Sequence, residues 1–267
     1  MFGSVRRVEF AVVGVQKAGT TALFHFLAQH PKVVAPKAKE LHFFDDDSRC
    51  WQRPDYRDYL RCFPHRGGGL LGEATPSYIF WPQALERLRA YNSDMKVIAL
   101  FRDPVDRAHA HWRMSRAQGI EDLDFSSAIR DGRRRFGGPS QNDRRRRHMS
   151  YVERGFYGAQ LERLLGIFPR AQVLLMRQED LAGQHAATLA RVFAFLGLDA
   201  VPVAPSRVFA GEPAAPVCEA DVRYLAETYD ADTRHFAALS GLDVSGWARP
   251  QALAAQAYTP AAAAPAF

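Results

Sequence analysis

No stretch of the chain carries the roughly 18 consecutive apolar residues that a membrane-spanning helix needs. The first strand-like run begins at Val8, with no apolar signal core before it. The expectation is a soluble, cytoplasmic protein. Cysteine is scarce as well: Cys50, Cys62 and Cys218 are odd in number and lack metal-ligand spacing. That pattern speaks against a disulfide scaffold and against a thiolate metal site, and free thiols are expected. Internal repeats and Pro/Ser-rich linkers are absent too. At 267 residues, 47% of them hydrophobic, the chain can bury a full core as one α/β domain, expected over residues 1–250. Residues 251–267 are mostly Ala and Pro without an apolar face, and read as a disordered tail. Acidic residues are in deficit, 29 against 35 Lys and Arg, and the net charge of +6 favours an anionic ligand. A nucleotide, a nucleic acid and an acidic glycan all satisfy that condition.

What is present is an alternation of short aliphatic runs and helical patterns. Phe10–Val13, Val97–Phe101 and Val173–Met176 read as strands covered on both faces. Between them and after them, Thr20–His30, Gln83–Tyr91, Val105–Arg116, Tyr157–Phe168 and Ala187–Leu196 carry apolar residues at helical spacing. This order predicts a single P-loop-like α/β domain with a central, mostly parallel sheet, helices on both faces and ligands at the carboxyl ends of the strands. Arg130–Arg147 interrupts the pattern with Arg133-Arg134-Arg135, Gly137-Gly138-Pro139 and Arg144–Arg147, and reads as a mobile basic loop.

The strand Val8–Val13 runs into Gly14-Val15-Gln16-Lys17-Ala18-Gly19-Thr20-Thr21. Gly14 and Gly19 keep the spacing of a phosphate-binding loop, but Thr20 occupies the place of the lysine that grips a γ-phosphate. The loop's single lysine, Lys17, lies before the second glycine. Behind it Ala22, Leu23, Phe26 and Leu27 form an apolar helical stripe, so a packed helix aims its N-terminal N–H groups at the loop. An anion cradle survives without the parts that hold ATP and Mg²⁺. A P-loop nucleotide or small-molecule kinase is therefore one alternative reading, and a non-enzymatic polyanion binder using the arginine loop is another.

Lys39-Glu40-Leu41-His42-Phe43-Phe44-Asp45, Gly72-Glu73-Ala74-Thr75-Pro76-Ser77-Tyr78 and Phe101-Arg102-Asp103-Pro104-Val105-Asp106-Arg107 follow the loop in order. Together with Phe156-Tyr157, Gln178-Glu179-Asp180-Leu181 and the segment from Tyr229 to Trp247, they make the chain resemble the sulfotransferases that use 3′-phosphoadenosine 5′-phosphosulfate (PAPS), on the branch of the heparan sulfate enzymes and their bacterial relatives. The resemblance implies transfer of a sulfuryl group from PAPS to a hydroxyl, with an amine as second choice, of a saccharide or small-metabolite acceptor. It implies that Lys17 contacts the leaving phosphate, with Ala18, Gly19, Thr20 and Thr21 donating to the same group. Arg102 would bind the 3′-phosphate, for which a guanidinium fork is suited, and Tyr157 would join the donor site. PAP is then the product, and no metal is required because the leaving group departs as a stabilised phosphate.

Glu40 matches the family's base, and burial beside Phe43 and Phe44 is expected to raise its pKa. His42 is the rival for that role. Asp103 and Arg107 are expected to form local ion pairs. The chain departs from the family pattern at Ala74, where the glycosaminoglycan enzymes have a lysine. It departs again at Ala110, where a serine usually joins the arginine, so His109 or His111 is expected to replace that donor. Ser206-Arg207-Val208 is a candidate for the loop that covers the nucleotide. Tyr78, Phe80, Trp81, Trp112 and Tyr151 are candidates for an acceptor cleft.

Overall fold

The computed structural model describes residues 6–64, 68–131, 143–206, 208 and 217–248, without the side chains of 143–145. The Ala/Pro tail, Arg133-Arg134-Arg135, Gly137-Gly138-Pro139 and Arg207 lie outside the described residues. In chain order the elements are β1 (Val8–Gly14), α1 (Thr20–Leu27), β2 (Val33–Val34), α2 (Arg57–Arg61), β3 (Leu70–Ala74), α3 (Ala84–Tyr91), β4 (Lys96–Phe101) and α4 (Pro104–Ala117). They continue with α5 (Phe125–Asp131), α6 (Asp143–Met149), α7 (Tyr157–Ile167), β5 (Val173–Arg177), α8 (Gln178–Gly183), α9 (His185–Leu196) and α10 (Glu219–Ser240).

The sheet has five strands in the order β2-β3-β1-β4-β5, every neighbouring pair parallel. Its strands read as apolar runs because both faces are covered. Val8, Ala11 and Val13 turn to the layer of α3 and α7, while Phe10 and Val12 turn to the layer of α1 and α9. From β1 the chain runs outward to β2 and back through β3 on one side, then crosses β1 to continue with β4 and β5 on the other. The loop after β1 therefore sits where the winding direction changes, the usual place for a ligand crevice in such sheets.

One expectation changes here, and β3 has no counterpart among the strands expected from the sequence. The basic stretch expected to be a mobile loop contributes a helix, α6, over Asp143–Met149. β3 is also a strand despite its glycine and glutamate. Gly72 lies under the Phe10 ring, where an added Cβ would fall 1.9 Å from its Cζ. Glu73 is buried but satisfied, receiving hydroxyl hydrogen bonds from Tyr59 (2.7 Å), Thr75 (2.7 Å) and Tyr78 (3.1 Å).

Candidate functional site

The two glycines of the first loop do different work. Gly14 is a packing glycine: a Cβ there would meet Ile79 Cγ2 at 2.4 Å. Gly19 instead supplies a positive φ of 88° at the N-terminus of α1. Among the described residues no side chain caps that terminus, and no acidic residue stands in its first turn, so its N–H groups and positive dipole end are left without a protein partner there. Ala18, by contrast, spends its N–H inside the loop, on Val15 O at 3.1 Å. Lys17, half-buried at φ 71°, stands beside this terminus. Burial pulls its ammonium below the ordinary lysine value; Glu40 opposes this, and the charges of Arg102, Arg113 and Lys39 reinforce it. The loop lysine, the β4-end arginine and the Glu40 segment thus converge on one place.

Arg102 leaves the end of β4 with one arm on Asp106 (Nη2 to Oδ2, 3.0 Å), and among the described residues its guanidinium makes no other hydrogen bond. Among the described residues Asp103 makes no ion pair. Its Oδ1 caps α4 by accepting from Val105 N (2.8 Å) and Asp106 N (3.3 Å), and its Oδ2 accepts from Ala248 N (2.6 Å). Arg107 is not locally paired either: it is fully buried and donates to Tyr151 O. Tyr157 is also interior, its hydroxyl donating to Arg102 O at 3.0 Å, so it fixes the strand end rather than facing the crevice. Of the two histidines, His111 is turned inward and fully buried against Tyr151, and burial together with Arg107 and Arg154 holds it far below its ordinary pKa. His109 keeps partial exposure, stacks on Trp112 and lies near Arg113, Asp106 and Arg102.

The acidic side of the site is a chain of contacts. Lys39 Nζ bonds Glu40 Oε1, Glu40 Oε2 lies 3.7 Å from His42 Nε2, and His42 Nδ1 lies 2.9 Å from Asp45 Oδ2. The same Asp45 oxygen accepts from Ser77 Oγ (2.5 Å) and from Arg147 Nη1 (2.7 Å). Glu40 and His42 hold φ of 62° and 50°, and Glu40 N is tied to Ala74 O at 3.1 Å. Glu40 does not have the raised pKa expected of it. Burial does push its carboxyl up, but the hydrogen bond from His42 and the charge and hydrogen bond of Lys39 outweigh that and hold it at about 2. Burial lowers His42, yet its bonds to Asp45 and Glu40 raise it to about 9, so near neutral pH it is an imidazolium. An imidazolium has no lone pair to accept a proton; Glu40 has.

Ala74 is buried in β3 with only a methyl group at the family's lysine position. Among the aromatic candidates, Tyr78, Trp81 and Tyr151 are core residues, while Phe80 and Trp112 are half-buried. The spacing Glu-x-His-x-x-Asp was the available signal for Asp45, to which sequence reasoning gave no role. Nothing local pointed to Ser77 or Arg147, which reach Asp45 from 32 and 102 residues away. Beside Gly19, between α1 and α8, a cavity of about 210 Å³ is lined by Phe26, Gln178, Leu181 and His185. A larger one, about 750 Å³, lies at the opposite edge of the sheet near Arg6, Asn92 and Lys96, away from these groups. No group of three or more His, Cys, Asp or Glu arranged to hold a metal occurs among the described residues.

This arrangement defines an α/β protein whose first loop ends in an uncapped helix N-terminus beside Lys17, with the Glu40–His42 ion pair near it. Residues 8–209 match the sulfotransferase domain, and the chain belongs to the sulfotransferase family. Human heparan sulfate glucosamine 3-O-sulfotransferase 3B1 is 34% identical over 200 residues, covering 73% of this chain and 47% of that protein. Human heparan sulfate glucosamine 3-O-sulfotransferase 6 is 31% identical over 272 aligned residues, 92% of this chain and 75% of its own length. The chain thus spans about half the length of several curated relatives it matches. The crystal structure of a sulfotransferase from Alicyclobacillus acidocaldarius superposes with a TM-score of 0.74 at 28% identity, covering 92% of this chain and all of that one.

Proposed function

We propose that the protein transfers a sulfuryl group from PAPS to a hydroxyl of a saccharide. The observation that carries this is the convergence of Lys17, Arg102 and Glu40 on the uncapped N-terminus of α1. A nucleotide whose phosphates lie at both ends of a ribose needs two separated cationic grips. Here the α1 terminus with Lys17 is one and Arg102 the other. The first-turn N–H groups from Gly19 to Thr21 and the Lys17 ammonium would hold the 5′-phosphate, and the unbonded arm of Arg102 would take the 3′-phosphate. Of the two histidines, His109 is the candidate donor to that phosphate, because it keeps partial exposure and lies near Arg102 while His111 is buried. The cavity between α1 and α8 offers apolar walls for the base.

PAPS supplies an activated sulfuryl group, and this chain's residues position it and stabilise the departing charge. Glu40 receives the acceptor's proton, while His42, held by Asp45, orients that carboxylate. A base near pKa 2 is weak as it stands, and an acceptor that displaces Lys39 from Glu40 would raise it. Two relatives are named for heparan sulfate glucosamine 3-O-sulfation and another, mouse bifunctional heparan sulfate N-deacetylase/N-sulfotransferase 4, for N-sulfation. These names favour a saccharide acceptor and leave oxygen against nitrogen to experiment. The test is a thermal shift with PAP in the presence of EDTA, followed by labelled PAPS with O-desulfated and N-desulfated heparan saccharides. PAP should stabilise the chain without divalent ions; stabilisation by ATP–Mg²⁺ alone would mean a kinase instead.

A further inference from the structure

We propose that Arg147 is a positioning residue that clamps Asp45 against the imidazole of His42 and so fixes the His42–Glu40 pair. Asp45 has a fully buried carboxylate, and such a group persists only with partners. Arg147 meets it with two prongs: Nη1 reaches Oδ2 at 2.7 Å and Nη2 reaches the main-chain oxygen of the same residue at 2.5 Å. A planar fork bound to a side-chain and a main-chain oxygen together sets the rotation of the carboxylate, which the point charge of a lysine cannot do. The guanidinium also lies 4.2 Å from the centre of the buried Trp81 ring.

The element that delivers Arg147 is itself held from beneath. Beyond the interior of α6, Arg107 donates to Tyr151 O, Ser115 Oγ to His148 O at 2.7 Å, and Arg154 Nη2 to Arg147 O at 3.3 Å. Arg107, Ser115 and the capping Asp103 all belong to the α4 segment that begins beside Arg102. The arginine run thus ends as part of the site's frame. The groups that face His42 are Glu40 from its own loop, Asp45, Ser77 after β3, and Arg147 from α6, with Lys39 bonded to the far oxygen of Glu40.

The inference builds on the reading of Glu40 and His42 as the acceptor-side pair, but its test needs neither PAPS nor an acceptor. The His42 ring is followed by side-chain NMR against pH in the full chain, its signal assigned with His42→Gln. In the unsubstituted protein the midpoint should lie near 9. Arg147→Met should lower it by about one unit, a tenfold change, because a loosened Asp45 no longer holds Nδ1–H. Loss of a nearby positive charge alone would shift it upward, so the sign separates positioning from simple electrostatics. Arg147→Lys should fall between, and in an Asp45→Asn background Arg147→Met should bring no further fall. An unchanged or raised midpoint in Arg147→Met overturns the proposal. Should that variant not fold, Arg147→Lys decides alone: a lower midpoint supports the clamp and an unchanged one removes it. A chain that transferred no sulfate would still give either answer.

Discussion

Lys17, Glu40 and His42 hold positive φ values of 71°, 62° and 50°, a region that non-glycine residues avoid. Such strain persists where the surroundings over-determine it; Lys17 and Glu40 are proposed to touch donor and acceptor and His42 to orient Glu40, while a fourth such residue, Gln83 (φ 62°), lies outside the site at the start of α3. Lys17→Gly is accordingly expected to keep or raise the melting temperature while losing PAP binding; a parallel loss of both in melts and titrations would make Lys17 a structural residue. Arg102→Ala should weaken nucleotides with a 3′-phosphate by about 1.5–3 kcal/mol and leave those without it nearly unchanged. Equal losses, measured by calorimetry, would place Arg102 in the frame instead. Glu40→Gln should lower kcat by about 10²–10⁴-fold with PAP affinity kept. The pH dependence of stability follows from the same pair. His42 has its pKa raised to about 9, so its contribution is complete below the unfolded value near 6.5 and fades as pH rises through 9. Glu40, held at about 2, contributes above the unfolded value near 4.5 and fades as pH falls toward 2. Urea midpoints should therefore decline from pH 6.5 to 9, and His42→Gln should flatten that limb; parallel curves would mean that no imidazolium is held.

Among elements, β1 and the turn after it were legible because an aliphatic run followed by two spaced glycines admits few conformations. Their separate roles were not legible, since nothing in the sequence places Ile79 against Gly14. Gly14→Ala should cost about 1–3 kcal/mol through that clash, with partial recovery in Gly14→Ala/Ile79→Ala. No recovery in denaturant melts would assign Gly14 to ligand approach instead. β3 escaped notice because Gly72 and Glu73 contradict strand propensity. What licenses them is the Phe10 ring on a neighbouring strand and three hydroxyl donors, all tertiary facts. α6 escaped for a like reason: an arginine run reads as a solvated loop until Asp45 and Trp81 are brought to it. Glu40's depressed pKa was hidden too: Phe43 and Phe44 pack into the core, the Glu40 side chain keeps 39% exposure, and its contacts with Lys39 and His42 follow from no local pattern.

At the scale of the whole molecule, α1, the end of β4 and the loop after β2 bring a phosphate cradle, a separate arginine and a carboxylate to the carboxyl edge of one parallel sheet. α10, beyond the matched residues 8–209, closes the other side, its Phe236 stacked on Trp247 and packed against Tyr157. The account's central claim is sulfuryl transfer from PAPS without a metal. Its most direct measurement is incorporation of label from [³⁵S]PAPS into desulfated heparan saccharides with EDTA present, for the unsubstituted chain and for Lys17→Ala. The account predicts labelled saccharide and stoichiometric PAP from the former and almost none from the latter. Label incorporated equally by Lys17→Ala, or transfer that appears only when a divalent ion is restored, would contradict it.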